Sequence, residues 1–233
     1  QSIFIVGMPR SGSTLVESIL SMNSEVYDLG EINILEESFL EEQKKIDQKL
    51  TLTDIYWKKI GAYTKNFNIT TNKCLYNYQY SGIIAQAIPN AKIIHCYRNP
   101  LDNILSIYRA NFAKGNEYSS SLEHCTRIYL DQEEIMNKYK NRFRSKIYDL
   151  NYDSLASNPN KEIKSLISWL NWKWRNSYLS PHLNKRSVFT ASKVQVRSPI
   201  NSKSIGGWKN YKEMLKPSIE ILAQTKRYED LLQ

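Results

Sequence analysis

The sequence predicts an α/β protein: a three-layer sandwich with a mostly parallel central sheet flanked by helices. Three observations predict it. Short apolar runs of strand length alternate with helix-period stretches along the chain, the pattern of repeated βαβ units. The first run, Ile3 to Val6, passes through a glycine-bounded loop, Gly7 to Thr14, straight into a helix pattern. The clearest later run, Ala91 to Tyr97, does the same through Asn99-Pro100.

The elements follow in order. Leu15, Ile19 and Met22 mark one face of the first helix. Val26 to Glu31 reads as a short strand closed by Gly30. Ile32, Leu35, Phe39, Ile46 and Leu50 then fall near helical spacing, with a charged opposite face. Asp54 to Phe67 predicts a helix, Ile69 to Asn72 a strand, and Tyr80 to Ala87 a helix closed by Pro89-Asn90. Pro100 at the first helical position opens a helix from Leu101 to Phe112. Lys114 to Ser121 is a loop, Leu122 to Tyr139 a long amphipathic helix, Lys146 to Leu150 a strand and Glu162 to Trp172 a helix. Asn176 to Asn210 lacks periodicity and reads as extended loop, a length that points to function or flexibility. Lys212 to Leu232 predicts a closing helix.

Bulk properties narrow the function. The chain has 233 residues, 41% hydrophobic and 24% charged, which suits one globular domain spanning 1–233. Gln1 stands one residue before a core strand without an initiator Met, so we expect a segment of a longer chain. No apolar run reaches the 18 or so residues of a membrane span. A net charge of +9 suits an anionic ligand or an acidic partner, although the basic residues are spread along the chain, as a plain solvated surface would also have them. Three cysteines, Cys74, Cys96 and Cys125, are too few for a disulfide framework, and the three histidines make no metal-ligand spacing with them. A cytoplasmic setting is the expectation for this segment.

The loop after the first strand is the leading candidate site. A helix N-terminus presents free N–H groups and the positive end of its dipole to an anion. Gly7 and Gly12 have the spacing of the phosphate loop G-x-x-x-x-G-K-[ST], and Thr14 matches its hydroxyl. Ser13 stands where that loop has its lysine, which argues against a nucleoside triphosphate and for another anion. An ordinary strand-to-helix turn would also carry glycines. Ligands of parallel sheets bind at the carboxyl ends of the strands. The other residues just past strand ends are therefore candidates: Glu31, Lys73, Arg98 with Ser106 eight residues on, and Tyr152.

These motifs together resemble sulfotransferases that use 3′-phosphoadenosine-5′-phosphosulfate (PAPS). Pro9-Arg10-Ser11-Gly12-Ser13-Thr14-Leu15 is similar to their 5′-phosphosulfate loop, and Tyr97-Arg98-Asn99-Pro100-Leu101-Asp102 through Ser106 to their 3′-phosphate motif. Gly30-Glu31 and Asn72-Lys73 resemble the base and lysine elements of tyrosylprotein sulfotransferases. Asn151-Tyr152-Asp153-Ser154-Leu155 resembles a third element of theirs. Val188 to Ser192, Gln195 to Arg197 and Gly207-Trp208 resemble the C-terminal region of bacterial sulfotransferases fused to tetratricopeptide repeats. The resemblance implies a P-loop-like fold and PAPS as sulfuryl donor, released as adenosine 3′,5′-bisphosphate (PAP), with no metal. It implies Glu31, Lys73, Ser192 and Arg10 as catalytic residues. The donor contacts it implies are Pro9 to Leu15, Arg98, Ser106, Tyr152, Ser192 and Trp208. The acceptor is a hydroxyl of a protein, a sugar or a small molecule, met by the 33–60 and 114–140 segments, with no nucleic acid partner. Relatives often carry a basic residue before the tryptophan matching Trp208, where it can reach the 5′-phosphate; here Gly207 stands there, and Lys203 or Lys209 are the candidates to replace it.

Two other readings stay open at this level. A phosphate-loop kinase would need the missing lysine and a Mg²⁺ carboxylate. A polyanion-binding module would use the +9 charge and ignore PAPS.

Overall fold

A computed structural model describes residues 1–44, 50–64, 67–110, 112, 115–184, 186, 192 and 194–232. Among these residues five strands form one all-parallel sheet in the order β2-β3-β1-β4-β5. They are β1 Ser2–Gly7, β2 Val26–Asp28, β3 Ile69–Asn72, β4 Lys92–Tyr97 and β5 Ile147–Asn151. The central strand β1 is buried along its whole length. A strand covered on both faces is a continuous apolar run in sequence, as Ile3 to Val6 is.

Alternation along β1 divides the core. Ile3 and Ile5 pack with Val16, Ile19 and Leu20 of α1 (Ser13–Leu20) and with Ile163 and Leu166 of α8 (Pro159–Trp169). Phe4 and Val6 face the other way, against α2 (Ile34–Gln43), α3 (Leu52–Gly61), α4 (Ser81–Ala87) and Met136 of α6 (Leu122–Arg142). Each such side chain contributes about 1.5–3 kcal/mol when fully buried. A third cluster joins α5 (Pro100–Tyr108), α6 and α9 (Lys216–Leu222) beneath Met8, with the Trp208 ring against it.

Several boundaries differ from the sequence reading. The helix expected from Ile32 to Leu50 is α2, over Ile34–Gln43, and residues 45–49 lie outside the described residues. α3 starts at Leu52, because Thr51 and Asp54 form a reciprocal capping box there, and it ends at Gly61. α5 begins at Pro100, capped by the Asn99 side chain, and stops at Tyr108. Asn151 caps a short helix, α7 (Tyr152–Ser157), that the sequence reading did not contain. The stretch 176–210 holds short 3-10 turns at Asn176–Leu179, Pro181–Leu183 and Gln195–Arg197, and another spans Gly207–Tyr211. The closing helix expected over Lys212–Leu232 is two pieces: α9, with Pro217 in its first turn, and a 3-10 segment from Lys226 to Leu232.

Candidate active site

The strand order reverses between β1 and β4. The chain leaving β1 turns toward β2, while the chain leaving β4 turns toward β5. Ligands bind at such a point in open α/β sheets. Gly7 pairs with Cys96 across it. At Gly7, φ is +139° and a Cβ would stand 2.2 Å from the Cys96 carbonyl oxygen, so only glycine lets the two strand ends approach this closely.

The loop from Met8 to Gly12 follows. Arg10 takes a left-handed φ of 66°, and the Asn103 side chain donates to the Pro9 carbonyl (2.9 Å), tying the loop to α5. Gly12 caps α1 without offering a side chain to the first-turn amides. Ser11 is buried, with its hydroxyl lacking a hydrogen-bond partner among the described residues. The Tyr152 ring lies directly on Gly12.

Arg98 leaves β4 toward the same loop and is 6% exposed. It donates to the Ser204 carbonyl (2.7 Å), lies 3.7 Å from the Asp153 carboxylate and 3.8 Å from Asp102, and sits over the Tyr152 ring at 4.9 Å. Among the described residues its buried Nε, the atom nearest Asp153, has no hydrogen-bond partner. The Arg10 guanidinium donates to the hydroxyls of Ser106 (3.1 Å) and Ser192. Burial first, and then the neighbouring Arg98 charge, push the Arg10 pKa down. Two guanidiniums placed this way favour an anion between them. Asp102 accepts the amides of Gly206 and Trp208, which pins the returning C-terminal segment over the site.

Two cavities open here. One, of about 490 Å³, is lined by Arg10, Gly12, Thr14, Arg98, Ser106 and Tyr152 together with Ser192 and most of the segment from Val194 to Ser204, Arg197 and Ser202 excepted. A second, of about 740 Å³, shares Arg10, Arg98 and Ser106 and runs on toward Arg109, Gly207 and Tyr211. Lys203 lines both, whereas Lys209 and the Trp208 side chain line neither. Pro9, Ser11 and Ser13 belong to the loop without lining either cavity, while Leu15 lines the first. Of the C-terminal motif, Val188 to Ala191 lie outside the described residues.

Glu31 and Lys73 meet beside this point. β2 and β3 are neighbours, and each residue follows its strand closely. The Lys73 amide donates to the Gly30 carbonyl (2.8 Å), and the Asn72 side chain donates to the Ile32 carbonyl (3.1 Å), so the two strand ends are laced together. The Lys73 ammonium, its side chain 1% exposed, donates to Glu31 Oε1, whose side chain is 49% exposed. Neither residue lines the two cavities.

Sequence reasoning missed Arg109 and Tyr211, whose contact links α5 to the C-terminal segment. It also missed Arg186, which bridges buried Glu17 (3.1 Å) and Asp28 (3.0 Å). Burial pushes the Glu17 pKa up, against the pull of Lys73 and Arg186. Nothing local in the sequence marks either contact. Among the described residues, no cluster of three or more His, Cys, Asp or Glu side chains is placed to hold a metal ion, and no helix is long and apolar enough to cross a membrane.

Comparison with known proteins gives the class that this fold and site define. The model of the sulfotransferase family matches residues 2–176, and the chain belongs to that family. An uncharacterized protein of Aquifex aeolicus (strain VF5) is 32% identical over 251 residues, covering 98% of this chain and 33% of its own length. Protein-tyrosine sulfotransferase 1 of Danio rerio is 22% identical over 230 residues, covering 88% of this chain and 65% of its own. The chain thus spans a third of the first relative and just under two thirds of the second. Among solved structures, the sulfotransferase domain from the curacin biosynthetic pathway superposes with a TM-score of 0.70 at 16% identity, covering 95% of this chain and 96% of that one. Mouse sulfotransferase SULT7A1 complexed with PAP gives 0.56 at 15% identity, covering 99% and 88%. These structures share the fold, a P-loop-like three-layer α/β sandwich.

Proposed function

We propose that this segment transfers a sulfuryl group from PAPS to a hydroxyl acceptor, with Glu31 as general base. One observation carries the reading: the phosphate loop and the Arg98–Ser106 pair reach one cavity of about 490 Å³. PAPS has two separate anionic groups and needs two anion sites. The loop and the N-terminus of α1 suit the 5′-phosphosulfate, and the Arg98 fork suits the 3′-phosphate. The buried Ser11 Oγ, which has no hydrogen-bond partner among the described residues, fits the same ligand. Leu15, Val194 and Ile200 give the cavity an apolar wall for a base.

When bound, PAPS supplies an activated sulfuryl group and departs as PAP. Lys73 holds Glu31 by Oε1, which leaves Oε2 to take the acceptor's proton. General base catalysis of this kind contributes about 10²–10⁴-fold. The Lys73 ammonium and the Ser192 hydroxyl can donate to the departing phosphate oxygen, and Arg10 adds charge beside it; one such donor is worth about 10²–10³-fold.

Thermal unfolding with PAP, ATP–Mg²⁺ and heparin side by side tests the reading. PAP alone is expected to raise the midpoint. At 100 times its Kd the stabilisation is about 2.7 kcal/mol, worth several degrees for a domain of this size. A shift with ATP–Mg²⁺ or heparin and none with PAP would overturn it. Arg98→Ala is expected to weaken PAP by about 1.5–3 kcal/mol in calorimetry. Arg98→Lys, which keeps the charge and loses the fork, should fall between. Unchanged affinity in both variants removes Arg98 from the site.

A further inference from the structure

We infer that Arg109 is a second phosphate-binding guanidinium of the donor site, held by Tyr211 and gripping the 3′-phosphate together with Arg98 and Ser106. The inference rests on the donor reading above and adds a residue that neither the motifs nor the strand-end rule singles out.

Its basis is the second cavity. Among the described residues, four cationic side chains line it: Arg10, Arg98, Arg109 and Lys203. Asp102 is the one carboxylate among the described lining residues, and its oxygens already accept the amides of Gly206 and Trp208. A cavity so unbalanced attracts an anion. Arg98 and Ser106 line both cavities, so an anion on them lies where the two spaces join. Arg109 sits three residues after Ser106, at the end of α5, and residues so spaced share a helix face.

Arg109 has no structural task that competes with this one. Among the described residues it forms no salt bridge. Its guanidinium lies over the Tyr211 ring, 5.3 Å from the centroid. That stacking restricts the side chain while leaving its N–H edge free to donate, and a cation fixed before binding loses less entropy on binding. Gly207 lines the same space and adds no side chain, which keeps room for the phosphate.

The test compares two probes that differ only in the 3′-phosphate, PAP and adenosine 5′-monophosphate, by calorimetry on the whole segment. Arg109→Gln is expected to weaken PAP about tenfold, at the low end for a hydrogen bond to a charged group because the residue is exposed. Affinity for adenosine 5′-monophosphate should stay within about twofold. Tyr211→Leu should weaken PAP by a smaller factor, again sparing the monophosphate. Both residues are exposed, so both variants should keep the parent unfolding midpoint. If Arg109→Gln leaves PAP affinity unchanged, or weakens both probes equally, the inference fails while the donor reading stands. If the unaltered protein does not bind PAP at all, the donor reading itself has failed.

Discussion

Replacing Glu31 by glutamine should lower sulfuryl transfer about 10²-fold or more while PAP affinity stays within about twofold. The separation follows from where the residue stands. Glu31 projects from the end of β2, half exposed, and lines neither of the cavities proposed to hold the two anions. It can act on the acceptor's proton without holding the donor. Glutamine is the informative substitution because the Lys73 ammonium is almost fully buried against this carboxylate. Alanine would leave that charge without its partner, and an unpaired buried charge destabilises a fold strongly. Glutamine keeps a carbonyl oxygen to accept from Lys73, so the ammonium stays hydrogen-bonded although its countercharge goes with the proton acceptor. Lys73→Met is the control from the other side of the pair. It should also lose rate, by about 10²–10³-fold, since the ammonium is proposed to donate to the departing oxygen in the transition state. Because Lys73 lines neither cavity, its PAP affinity should also stay within about twofold. Single-turnover rates with labelled PAPS and calorimetry with PAP read the two quantities separately. Near-full turnover in Glu31→Gln would reduce Glu31 to the partner of a buried lysine.

The contrast between these residues also shows what a sequence can carry. β1 was legible because a parallel strand buried on both faces is an unbroken apolar run, and β4 because apolar residues surround His95; Ile69–Asn72 appears with the bounds its sequence suggests, although Ile69 alone of its four residues is apolar. Arg10, Arg98, Ser106 and Tyr152 were legible as candidates because they follow strand ends, and the strands meet at one edge. The direct pairing of Glu31 with Lys73 was not. It depends on β2 lying beside β3, and no local pattern states strand order. Arg109 on Tyr211 and Arg186 on Glu17 join residues far apart in the chain, the second through a stretch with no periodicity. The last helix was overextended for a related reason. Tyr228 and Leu231 pack on the same cluster as Leu215 and Leu222, so the apolar pattern runs on after α9 ends. Burial fixes which residues face inward, and both α and 3-10 turns satisfy it there.

Gly12→Ala should weaken PAP at least tenfold and destabilise the protein, because one methyl group disturbs both proposed anion sites at once. Gly12 holds φ at +90°, where a side chain is strained by about 1–2 kcal/mol. The added Cβ would also stand 2.3 Å from the Tyr152 ring. Tyr152 cannot yield freely. Its ring carries the Arg98 guanidinium at 4.9 Å, and its hydroxyl pairs with that of Ser204 at 3.0 Å. Ser204 in turn takes a hydrogen bond from Arg98 through its carbonyl. A ring pushed off Gly12 therefore shifts the arginine proposed for the 3′-phosphate, while the loop beneath it loses the geometry proposed for the 5′-phosphosulfate. Two variants divide the effect. Tyr152→Phe removes only the bond to Ser204 and should cost PAP a few-fold at most. Gly12→Ala combined with Tyr152→Ala relieves the clash and leaves the backbone strain, so it should recover part of the stability without restoring PAP affinity. Calorimetry with PAP and unfolding midpoints on all three decide it. A Gly12→Ala variant that binds PAP within twofold of the parent would mean that the loop tolerates a side chain at its cap, and the phosphosulfate would then have to lie elsewhere.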